Sequence, residues 1–263
     1  MTDLSSVLVP TSAEEAAAAF GDGAGVTVVA GGTIVMPDIK LGRLRPERTI
    51  YLGRARLNRI ERSGETYRIG AATPVAALVE GAPEPLATFA AHVGDCEIRS
   101  QATIGGNLCA PAAATVSRGD LQAPLLALGA RIRSVGAGGE QIDLVDDFLT
   151  GGVKGRLVLE VEVDEPKRAA AAAVGRPHAH AFTILAVAAA ETADGVRIAV
   201  AGAGPSAVRA TSTEHALAAG ASPEDAGQKA LDDVNPQDDA VASGSYRRQV
   251  LPALVARVLG DLS

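Results

Sequence analysis

The sequence predicts an α+β protein built from at least two compact units, and three observations carry that reading. Apolar segments with strand periodicity and with helix periodicity succeed one another along the chain of 263 residues. A composition of 47% hydrophobic and 21% charged residues is that of a globular protein large enough for more than one core. The run from Glu165 to Arg168, followed by five alanines, is the sharpest shift in composition, and a domain boundary is expected there.

Taken in order, Thr11-Ser12-Ala13-Glu14 has the form of a capping box in which Thr11 accepts from the Glu14 amide. It opens a helix over 13–20 that Gly21 ends. Residues 26–30 are β-branched and almost wholly apolar, a buried strand that runs directly into Gly31-Gly32. Short strands are expected over 49–52 and 66–69. Thr73-Pro74 should cap a helix reaching Glu80, with Pro74 at the first helical position, where its missing N–H costs nothing. A second double-glycine turn, Thr103-Ile104-Gly105-Gly106-Asn107, precedes a helix over 120–128 with Leu121, Leu125 and Leu128 on one side. Residues 131–135 and 141–144 read as a hairpin around a glycine-rich loop. Leu157, Leu159, Val161 and Val163 alternate with more polar neighbours, a half-buried strand stopped by Pro166. Beyond the boundary the sequence predicts an apolar helix over 182–190, a strand over 196–201, a helix after Thr213 ending at Gly220, and a helix capped by Ser222. Val250, Leu251, Leu254, Val255, Val258 and Leu262 follow helical spacing, with Pro252 as a kink or break.

Charge and cysteine usage exclude several classes. The net charge is -7 and no run of Lys or Arg could track a phosphate backbone, so no nucleic acid partner is expected. No apolar stretch is long enough to span a bilayer, and Met1-Thr2-Asp3-Leu4 lacks the start of a signal peptide, so a cytoplasmic location is expected. Cys96 and Cys109 are too few to hold an iron-sulfur cluster. His178 and His180 lack a third ligand at metal-site spacing and read as a polar edge, and Cys109 reads as a small buried hydrophobe. A glycine pair after a buried strand, in contrast, lets the main chain turn sharply with several amides pointing one way, which suits a diphosphate. Two such turns flanking a crevice would grip a dinucleotide.

Residues 30–37, the stretch from Ile98-Arg99 to Leu108, and the stretch from Gly119-Asp120 to Leu128 together resemble the FAD-binding medium subunit of the molybdenum hydroxylases, the xanthine dehydrogenase and carbon monoxide dehydrogenase family. Val208-Arg209-Ala210-Thr211 with Glu214, and Ser245-Tyr246-Arg247-Arg248, are similar to that family's C-terminal flavoprotein domain. The resemblance implies a two-lobed FAD-binding domain of the PCMH (vanillyl-alcohol-oxidase-like) type, with lobes over 1–55 and 56–166, followed by a smaller α+β domain over 167–263. It implies FAD bound non-covalently by Val29, Ala30, Gly31, Gly32, Thr33, Ile34, Val35 and Met36, and by Thr103, Ile104, Gly105, Gly106 and Asn107. Asp120 would accept from sugar or ribityl hydroxyls, and no residue of this chain would be catalytic or bind metal. The implied function is electron transfer, with a 2Fe-2S small subunit, a molybdopterin-binding large subunit and an external electron acceptor as partners. Two departures stand out: the link from Cys109 to Gly119 is longer than is common in the family, and Ala171-Ala172-Ala173 lies where a Lys often precedes the Arg that resembles Arg176. A stand-alone flavin oxidase or reductase, and a scaffolding subunit that has lost its flavin, remain as alternatives.

Overall fold

The computed structural model describes residues 6–110, 119–151, 153–175 and 183–262. The features read above on Met1 to Leu4, Ser117-Arg118, Arg176, His178 and His180 lie outside the described residues.

The first lobe comprises β1 (Ser6–Leu8), α1 (Ala13–Phe20), β2 (Val26–Val29), α2 (Val35–Lys40) and β3 (Arg48–Tyr51). Its three strands pair in parallel in the order β1-β3-β2. The cap of α1 is Ser12 and not Thr11: the Ser12 hydroxyl accepts from the Glu15 amide at 3.2 Å, while Thr11 donates its amide and hydroxyl to Glu15 Oε2 at 2.7 and 2.9 Å. Both registers fit the capping pattern, and the later one satisfies the Thr11 donors as well. Ala16 and Phe20 then pack against Ile50 and Leu52. The strand expected over 26–30 ends at Val29, the only one of its residues that is fully buried.

The second lobe runs through β4 (Ile60–Ser63), β5 (Thr66–Gly70), α3 (Val75–Gly81), α4 (Leu86–His92), α5 (Cys96–Gln101), α6 (Ile104–Leu108), α7 (Gln122–Leu128), β6 (Arg131–Gly136), β7 (Gly139–Leu144), α8 (Val145–Gly151) and β8 (Arg156–Asp164). Its sheet is antiparallel, in the order β4-β5-β8-β6-β7. Pro74 proves to be the N-cap of α3, with an extended backbone, and the Thr73 hydroxyl donates to the Arg59 carbonyl instead of capping. A register shift in the β6 and β8 ladder leaves Leu159 unpaired. Such a bulge turns the strand over. Leu157 and Leu159 therefore enter the first lobe's core, while Val158, Val161 and Val163 enter the second's.

The remainder holds β9 (Arg168–Gly175), β10 (Thr183–Thr192), β11 (Gly195–Ala201), β12 (Val208–Arg209), α9 (Thr211–Ala218), α10 (Pro223–Lys229) and α11 (Gly244–Leu262). Its antiparallel sheet has the order β12-β11-β10-β9. The helix expected over 182–190 is corrected to the strand β10. Ala186, Ala188 and Ala190 pack into the second lobe's core, and Leu185, Val187 and Ala189 pack against Leu251, Val255 and their neighbours on α11. A strand buried on both faces is apolar at every position, so it shows no period of two. The alanine run at the boundary is β9, and α11 continues through Pro252 without a break. Thr213, expected to precede a helix, lies buried within α9.

Candidate functional site

Where the first lobe meets the junction of α5 and α6 lies a cleft of about 490 Å³. Val29, Ala30, Gly31, Gly32 and Met36 line one side of it, and Ser100, Gln101 and Thr103 another. The glycines are there for different reasons. A Cβ on Gly31 would stand 1.9 Å from the Gln101 carbonyl oxygen, so the two lobes touch main chain to main chain at this point. Gly32 has φ +74°, the left-handed region that side chains disfavour. Among the described residues, the amides of Gly31, Gly32, Thr33, Ile34 and Val35 have no hydrogen-bond acceptor; Gly32 takes part only through its carbonyl, which accepts from Met36 at 2.9 Å. Thr33, Ile34 and Val35 do not line the cleft with their side chains.

The second glycine turn differs from the expectation of bare donors. The Ile104 amide donates to Thr73 O at 3.1 Å, Gly105 to Ala71 O at 2.9 Å, Gly106 to Thr103 Oγ1 at 3.2 Å and Asn107 to Thr103 O at 2.9 Å. The turn has closed into α6, with Thr103 as its cap, and uses these donors itself. Gly105 is required because a Cβ would lie 2.8 Å from Ala71 O, whereas a Cβ on exposed Gly106 would meet only Thr103 Oγ1, at 3.0 Å. Ile104 is buried behind the turn.

A second, smaller pocket of about 230 Å³ is lined by Thr88, Phe89 and His92 of α4, by residues 171–175 of β9, and by Asp120. Buried Asn107 connects it to the glycine turn: its Oδ1 accepts from the Leu121 amide at 2.8 Å, and its side-chain amide donates to the Asp120 carboxylate. Burial pushes the Asp120 carboxyl above the ordinary carboxylate range, against the opposing pull of that hydrogen bond. Asp120 does not cap α7, whose N-cap is Leu121 with no side-chain bond. Burial likewise pushes the Cys109 thiol up to about 12, which leaves it an inert apolar group. No group of His, Cys, Asp and Glu that could hold a metal ion occurs among the described residues.

The sequence motifs thus contribute Val29 to Gly32, Met36 and Thr103 to the larger cleft and Asp120 to the smaller pocket. They do not mark Tyr51 and Arg56, which line the cleft, or His92, which lines the pocket. The residues present fit a dinucleotide: open amides suit a diphosphate, the uncovered face of Gly106 leaves room beside it, and a carboxylate that can only accept suits sugar hydroxyls.

Comparison with known proteins agrees with this chemistry. Residues 3–165 match the family model of the FAD binding domain in molybdopterin dehydrogenase. Residues 169–262 match that of the CO dehydrogenase flavoprotein C-terminal domain. Comparison with curated proteins gives no match. Among solved structures, carbon monoxide dehydrogenase from Hydrogenophaga pseudoflava is similar at 25% identity and a TM-score of 0.83, over 98% of this chain and 96% of that one. Carbon monoxide dehydrogenase from Oligotropha carboxidovorans has 22% identity and a TM-score of 0.85, over 100% and 98%. Quinoline 2-oxidoreductase from Pseudomonas putida 86 has 20% identity and a TM-score of 0.81, over 98% and 96%. No helix among the described residues is long and apolar enough to cross a membrane. With both family models in chain order over nearly the whole sequence, the chain belongs to the FAD-binding subunits of the molybdopterin dehydrogenases, and its cofactor is FAD.

Proposed function

We propose that this chain is the electron-transfer subunit of a molybdenum hydroxylase complex. It takes electrons from the 2Fe-2S clusters of a small partner subunit, supplied by substrate oxidation on a molybdopterin-binding large subunit, and passes them to an external acceptor. The observation that carries the reading is the row of open amides over residues 31–35 at the larger cleft, together with Asp120 at the smaller pocket: Thr103, at one end of α6, lines the cleft, and Asn107, one turn on, holds Asp120. A dinucleotide lying across α6 would reach from the open amides of residues 31–35 to Asp120.

Bound FAD supplies the redox chemistry, accepting electrons and handing them on. The residues of this chain bind, orient and shield it. The amides of Gly31 to Val35 receive the diphosphate, and Asp120 accepts from a hydroxyl and fixes the position of the rest. The alanines of β9 give the smaller pocket an apolar wall that excludes water. No side chain need move a proton, and Cys109 is held protonated so that it does not compete as a redox group. Binding is non-covalent, since neither glycine turn supplies a His or a reactive Cys to a flavin.

The test is purification from the native host. Three chains in equal amounts should be recovered, one of them rich in cysteine and one much larger, and acid should release the flavin from this chain. A colourless chain would leave the scaffolding reading, and a fully active monomer the stand-alone enzyme.

A further inference from the structure

The cleft at the first glycine turn holds an unexplained cation. Arg56 lines it, is exposed, and has no hydrogen bond or ion pair among the described residues. Among the described residues it is the only charged side chain in the lining, which contains no carboxylate among them, within a chain of net charge -7. Its backbone has φ +56°, and it is the one residue other than glycine held in the left-handed region among the described residues. Such a conformation is costly for a side chain with a Cβ, and it persists where the surrounding structure enforces it. A glycine would serve the turn better.

Beside it stands Tyr51, the last residue of β3. Ile50 points into the core, so Tyr51 faces out, and 42% of it is exposed at the edge of the same cleft. The ring lies close over the main chain of Gly53: a Cβ there would come within 2.3 Å of the Tyr51 hydroxyl oxygen. An aromatic face is thereby held at the cleft wall with no ring or cation partner among the described residues.

We propose that Arg56 and Tyr51 bind the ADP half of the cofactor, the guanidinium taking the diphosphate and the ring the face of the adenine. This rests on the reading of the groove as the FAD site and goes beyond it by adding two residues outside both glycine motifs. Guanidinium groups pair with phosphate oxygens through charge-assisted hydrogen bonds, and tyrosine rings stack on bases whatever their edges present. The open amides of residues 31–35 and Arg56 would then share one dianionic group.

The test is titration of the full-length chain, stripped of flavin by dialysis against potassium bromide, with FAD, ADP and riboflavin. Arg56→Gln should weaken FAD and ADP about tenfold or more and leave riboflavin unchanged. Tyr51→Leu should weaken ADP and FAD but not riboflavin, and Arg56→Lys should retain part of the affinity. Arg54→Gln, on the preceding turn and outside the cleft lining, should change nothing. Arg56→Gly separates binding from folding, because relief of the left-handed conformation should keep or raise the melting temperature while ADP affinity falls. Wild-type affinity for ADP in Arg56→Gln and Tyr51→Leu would overturn the proposal, as would a parallel loss of riboflavin. Failure of the wild-type chain to bind FAD at all would instead bring down the reading on which it rests.

Discussion

At the scale of single residues, Asp120 and the glycines separate binding from folding. A carboxyl whose pKa is raised in the folded chain binds its proton more tightly there than in the unfolded chain, where it titrates near about 3.9. Its contribution to stability is therefore fully favourable below about pH 4 and is lost as pH rises through the raised value. Asp120→Asn, which removes that cost, should not lower the melting temperature of the flavin-free protein at pH 7, and its stability should vary less with pH. A hydroxyl donated to the carboxylate favours the charged form, so FAD affinity of the wild type should fall on acidification through the same window. In Asp120→Asn the affinity should be weaker by about tenfold at pH 7 and flat across that range, read by fluorescence titration. Unchanged affinity with unchanged pH dependence would exclude Asp120 from the site. Gly31 and Gly106 divide in another way. Gly31→Ala places a Cβ against Gln101 O and should destabilise the protein by about 1–3 kcal/mol or more, seen in the urea midpoint. Gly106→Ala brings its Cβ to 3.0 Å from the Thr103 hydroxyl that caps α6, so it should lower the midpoint less than Gly31→Ala while losing flavin affinity.

Among the elements, β10 and α7 decide how the C-terminal unit is held. Every residue of α7 is buried, including Gln122, whose Nε2 donates to Leu108 O at 3.0 Å and whose Oε1 accepts from the Ala207 amide at 3.2 Å. One side chain thus ties the end of α6 to the loop before β12. Gln122→Leu would leave a buried carbonyl and a buried amide without partners, and should cost about 1–3 kcal/mol for each group left unsatisfied, measured by urea denaturation. Little of this was open to sequence reading, for reasons specific to each element. The hairpin of β6 and β7 and the alternation in β8 were legible because one face of each meets water and leaves a period. Residues 182–190 and the alanine run were not, because strands wrapped by other elements carry no period. The bulge at Leu159 was invisible, since it divides one alternating pattern between two cores. The two glycine turns and Asp120 stand out in the sequence as motifs, but the reason for Gly31 lies with Gln101, a neighbour distant in sequence. Tyr51 and Arg56 have no motif at all, and only the path of the chain out of β3 brings them to the cleft.

For the molecule as a whole, the boundary near Pro166 separates sheets without separating cores. Ala186, Ala188, Ala190, Ala199, Ala201 and Ala207 belong to the same apolar cluster as Leu125 and Leu128 of α7. Charged groups cross the boundary at the same place: Arg197 donates to Leu126 O at 2.9 Å and to Asp146 at 2.7 Å, and Arg209 pairs with both Asp146 and Glu214. The smaller pocket is built across this seam, from α4 and Asp120 on one side and β9 on the other. A chain ended at Pro166 would uncover the apolar face of α7, lose one wall of the pocket and leave Asp146 without either arginine. It should therefore be insoluble, or soluble with strong binding of hydrophobic dyes, and it should hold no flavin even with both glycine turns intact. The full chain should correspondingly unfold in urea in a single transition that near-ultraviolet circular dichroism and flavin release report at the same midpoint. A truncated chain that unfolds cooperatively on its own, or two separated transitions in the full chain, would show that the seam is a contact between independent domains. Coincident loss of fold and flavin would instead make the C-terminal unit part of the cofactor site.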